Sequence, residues 1–89
     1  MNNEQILSAL AMDLKRIALG LHRGSINMAQ RFEREAEKRL EEVEERHLMK
    51  YMINTLIRIR ESLSLKDKNK KADDMLMYST IIQNYVLYK

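Results

Sequence analysis

The sequence predicts an all-α protein: an extended bundle of three helices with a long central helix, kinked or broken near Arg46-His47, and dimeric. A full break there gives four helices. Three observations carry this. The 89 residues include two Gly and no Pro, whereas a β-sandwich or barrel needs turn residues about every 8–12 positions. Apolar residues recur at three- and four-residue spacing along most of the chain. Both glycines fall in Gly20-Leu21-His22-Arg23-Gly24, which leaves long stretches without turn chemistry.

The first helix is expected over about 3–22. Ile6, Leu7, Leu10, Leu14, Ile17, Ala18 and Leu21 form one stripe. Asn2 or Asn3 suits the N-cap, and Glu4 complements the positive end of the helix dipole. Gly20 to Gly24 ends the helix, and Ser25 is placed to cap the next one.

From 25 to 64 there is no Gly, no Pro and no cluster of turn residues. Ala29, Phe32, Ala36, Leu40 and Val43 make one stripe, expected to seat the first helix. Leu48, Met52, Leu56, Ile59 and Leu63 make another, expected to seat the last. At 100° per residue the two stripes point to nearly opposite sides of one straight helix. Either the chain breaks near 46, or a single helix of about 60 Å shows one face at each end of an S-shaped protomer. The missing turn chemistry favours the continuous or kinked helix.

The connection Leu65-Lys66-Asp67-Lys68-Asn69-Lys70-Lys71 precedes a last helix over about 72–88, capped by Asn69 or Asp73. That helix is apolar on nearly every side, so it belongs in a core or an interface. Its β-branched and aromatic residues leave a strand as the lesser alternative. The whole chain, 1–89, reads as one helical domain.

Composition bounds the function. With no Cys there is no disulfide framework, thiolate zinc site or cysteine nucleophile. No apolar run approaches the ~18 residues of a membrane span, and Met-Asn-Asn-Glu-Gln does not resemble the start of a signal peptide. The expectation is a cytoplasmic protein with no membrane contact and no cofactor. A chain this short hides only about 60–65% of its extended surface, so self-association is its natural support.

Several patterns bear on chemistry. Glu44 and His47 have the Glu-x-x-His spacing that points two metal ligands into a four-helix core, and Asp13 is a further carboxylate at the edge of the first stripe. Seven of the thirteen residues from Glu33 to Glu45 are Glu, so the spacing arises readily by chance. Glu41-Glu42-Val43-Glu44-Glu45 fits a magnesium-holding pattern, but no Glu-x-x-Asp follows it. Arg16 and His22 are spaced for phosphate stabilisation and proton transfer, yet His22 lies in the glycine turn. Arg58, Arg60, Lys66, Lys68, Lys70 and Lys71 form a basic region suited to phosphates. Residues 1–46 carry eight basic and nine acidic side chains, whereas 47–89 carry eight and four. Arg58 and Arg60 do not share a helix face, and the acidic helix after the glycine turn is a poor groove reader.

The favoured reading is a small non-catalytic interaction or regulatory protein acting as a homo-oligomer, with Tyr78, Ile82 and Tyr85 as the association surface and another protein as partner. The first alternative is nucleic-acid binding by Arg58 to Lys71. The second is a subunit-interface metal site built on Glu44 and His47.

Overall fold

A computed structural model describes residues 2–88. Among them are four α-helices and one 3-10 turn, with no strand: α1 Asn3–His22, α2 Ile26–Glu42, the turn Glu45–His47, α3 Lys50–Leu63 and α4 Lys68–Tyr88. The all-α expectation holds, while the continuous central helix gives way to its four-helix alternative. The body measures 36 × 22 × 20 Å, far from the ~60 Å of an unbroken 40-residue helix.

α1 starts on a capping box. The Asn2 side chain accepts from Gln5 N–H at 2.8 Å, and the Gln5 side chain accepts from Asn2 N–H at 3.2 Å. These bonds satisfy backbone donors that no helical carbonyl reaches. At the other end, Gly24 takes φ 73°, the left-handed conformation that suits glycine. Ser25 N–H then donates to Gly20 C=O at 2.8 Å and Gly24 N–H to Leu21 C=O at 3.2 Å, the paired bonds of a Schellman turn. Gly20 serves close packing instead: a Cβ there would lie 2.9 Å from the Ala29 nitrogen. Ser25 holds the N-cap position of α2, but its hydroxyl makes no capping bond.

The reversal between α2 and α3 is made without glycine or proline. Val43, Glu44, Leu48 and Met49 are extended, with the 3-10 turn between them. Bonds from distant helices hold this corner. The Asn3 side chain donates to Glu44 C=O and accepts from Glu44 N–H, both at 2.9 Å. The Tyr85 hydroxyl accepts from Met49 N–H at 3.1 Å. From α3, Arg60 donates to Leu40 C=O at 3.1 Å, meeting the negative end of α2.

α4 begins earlier than the sequence suggested. Asp67, rather than Asn69 or Asp73, caps it by accepting from Asn69 N–H at 3.0 Å and Lys70 N–H at 3.1 Å. Most of the presumed lysine loop is therefore the first turn of a helix.

α1 packs against α2 on one side and α4 on the other, and α3 packs on α4 and touches α2. Because α1 begins beside Glu44 and α4 ends beside Met49, the two share a pole and run antiparallel. Folding back at 43–49 turns both opposed stripes into one core. Leu10, Leu14, Ile17, Ala36, Met52, Leu56, Ile59, Met75 and Ile82 are all fully buried in it. Tyr78, Ile82 and Tyr85 are 8%, 0% and 5% exposed. Ile82 and Tyr85 belong to this core and Tyr78 reaches the surface only by its edge, so the three do not form the association surface read from the sequence. A continuous helix would have kept the first and last helices on opposite sides; folding back packs α1 against α4, with Ser79 donating to Ala11 C=O at 2.8 Å.

Candidate functional site

Asp13 is placed on the α2 side of α1 and buried. Its carboxylate lies 3.9 Å from Arg39 Nε and 4.0 Å from Arg16 Nη1, and Arg16 stacks over Phe32 at 5.2 Å. Burial raises the Asp13 pKa above the usual carboxylate value. Arg39 opposes that shift, Glu35 adds to it, and Arg16 opposes it. Glu44 and His47 do come together, with Nε2 3.7 Å from Oε2, but both are exposed at the pole where α1 begins. Asp13 is ten residues along α1 from Asn3, about 15 Å away. The three metal candidates do not converge. No cluster of three or more His, Asp or Glu among the described residues is placed to hold a metal ion.

The basic region is divided. Lys71 is buried and paired with Glu33 of α2. Arg60 pairs with Glu45 at 3.4 Å and holds the α2 terminus. Lys70 pairs with Asp74 at 3.8 Å. Arg58, Lys66 and Lys68 remain exposed and make no ion pair among the described residues. Three of the six candidates therefore tie helices together or neutralise a neighbouring carboxylate. His22 is exposed beside the glycine turn.

A surface furrow lies between α3 and α4. Tyr51, Asn54, Arg58 and Glu61 follow one another at three- and four-residue intervals, so they form one row on α3. Lys70, Asp74, Met77 and Ile81 form the facing row on α4. Two depressions run between the rows and share Asn54, Arg58 and Tyr78, making one furrow along the helices. Its apolar walls are open to solvent: Tyr51 is 48%, Ile57 47% and Met77 47% exposed. Tyr51 stands edge-on to Tyr85 with centroids 5.5 Å apart. Ser62 donates to Asp74 at 2.9 Å, which with Lys70 satisfies that carboxylate. Arg58 and Glu61, three residues apart, make no ion pair with each other or with any described residue.

A second apolar seam lies on the far side of the α1–α4 pair. Met12 is 39%, Leu76 39% and Leu87 70% exposed, and Met12 and Leu87 share a depression with Ser8 and Gln83. The α3–α4 furrow could not be read from the sequence, because α4 begins earlier than expected and the row it sets against α3 is fixed only by tertiary packing.

No described helix is long and apolar enough to cross a membrane. Compared with known proteins, the chain matches no family model, no curated protein and no solved structure.

Proposed function

We propose that this is a non-catalytic helical interaction protein that acts as a homo-oligomer. The observation that supports the reading is the clustering of exposed apolar side chains. Scattered surface apolar residues are ordinary, but here Tyr51, Ile57 and Met77 flank one furrow. A furrow between two helices is the shape into which a further helix packs. The buried carboxylate of Asp13 faces Arg39 across the contact of α1 with α2 and lies outside the two depressions of the furrow.

Sedimentation at several micromolar concentrations, paired with melting curves at the same concentrations, tests the reading. Self-association requires a mass above the 10.6 kDa monomer and a melting temperature that rises with concentration. A monomer with a concentration-independent melting temperature would remove the oligomeric reading.

A further inference from the structure

We propose that the α3–α4 furrow is a self-complementary interface in which a second copy of the chain lays its own α3 antiparallel to this one, joined by reciprocal Arg58–Glu61 pairs. The inference rests on the homo-oligomeric reading above and names the surface.

Charge within the furrow selects the occupant. Asp74 is already matched by Lys70 and Ser62. That leaves one unpaired cation and one unpaired anion on the same row of α3. A strongly acidic or basic partner would satisfy one and repel the other. A second copy satisfies both. A two-fold axis crossing α3 midway between positions 58 and 61 sets Arg58 opposite Glu61 of the partner subunit, and by symmetry the reverse pair forms as well. Tyr51, Ile57 and Met77 flank this line and supply apolar area. Leu65, half-buried just past the end of α3, extends it. An interface of standard size takes about 800 Å² from each partner, which is of the order of one long side of a body 36 × 22 × 20 Å.

Charge reversal provides the test. Both residues are exposed, so Arg58→Glu and Glu61→Arg should keep the wild-type helical circular dichroism. Each single variant places like charges opposite one another twice, and its dimer dissociation constant should rise by about tenfold or more. Mixing the two variants in equal amounts should restore association, because each altered position then meets the opposite charge. The double variant R58E/E61R should dimerise like the wild type for the same reason. Sedimentation equilibrium reads all four. Single variants that associate as well as the wild type, or a mixture that stays dissociated, would overturn this interface while leaving self-association standing. A wild type that is monomeric throughout overturns both.

Discussion

The side-chain amide of Asn3 pairs with the backbone of Glu44 through two bonds of 2.9 Å, donating to its carbonyl and accepting from its N–H. The first residue of the chain's first helix thereby serves as the missing strand partner for an extended residue forty-one positions away. Tyr85 does the same from the other end of the sequence, accepting from Met49 N–H at 3.1 Å.

Removing these contacts should loosen the corner without dissolving the helices. Asn3→Ala is expected to cost about 1–2 kcal/mol and Tyr85→Phe about 1 kcal/mol, the usual scale for a lost hydrogen bond. Urea denaturation gives the totals. Amide exchange supplies the sharper check: protection should fall at Glu44 in the first variant and at Met49 in the second. Unchanged exchange at both amides would contradict the assignment.

Gly20 and Gly24 should respond to alanine for different reasons. At Gly24 the strain comes from φ 73°, and the expected loss is about 1–2 kcal/mol. At Gly20 the new methyl would meet backbone, 2.9 Å from the Ala29 nitrogen and 3.2 Å from its Cα. α2 must then move off α1, at about 1–3 kcal/mol. Gly20→Ala should therefore change the near-ultraviolet spectrum of the folded state, and Gly24→Ala should not.

Asp13 makes stability depend on pH in a defined direction. Desolvation raises its folded pKa above the value of 3.8 that it has when exposed, so folding favours the protonated form. The contribution is fully present below 3.8 and is lost as pH rises through the higher folded value. Relative to Asp13→Asn, which does not titrate, the wild type should gain stability on acidification across that window. Parallel urea titrations from pH 3 to 8 measure the difference; a wild type that loses ground to the variant on acidification would reverse the sign.

Arg60 and Lys66 look equivalent in the sequence and should not behave alike. Arg60→Ala removes a charged donor from Leu40 C=O and the pair with Glu45, at about 1–2 kcal/mol. Lys66→Ala removes an exposed, unpaired side chain and should stay within about 0.5 kcal/mol. Thermal melts of the two variants side by side decide this.

What the sequence showed and what it hid follow from the range of each interaction. α1, its Asn2 cap and its glycine stop were legible because the residues that make them are neighbours. So were the stripes that seat α1 and α4. The corner at 43–49 left one trace, the change of apolar side near 46. Its stop residues are absent because Asn3 and Tyr85 do the stopping. Misplacing the corner carried a second error with it. With α1 left on the opposite side of an unbroken helix, Tyr78, Ile82 and Tyr85 look uncovered and invite a partner. The start of α4 was misjudged because lysines are poor company for a helix N-terminus. Asp67 at the cap and Glu33 beside Lys71 offset them, and only Asp67 is close in sequence.

Because no residue between Val43 and Met49 compels a bend, the middle of this polypeptide has no fixed itinerary of its own. Freed of α1 and α4, a fragment spanning 26–63 keeps the contacts of Arg60 with Leu40 and Glu45 but loses Asn3 and Tyr85 from its corner. The angle between its halves is held by α1 and α4 together with Arg60, so whatever shifts either outer helix also shifts the hairpin.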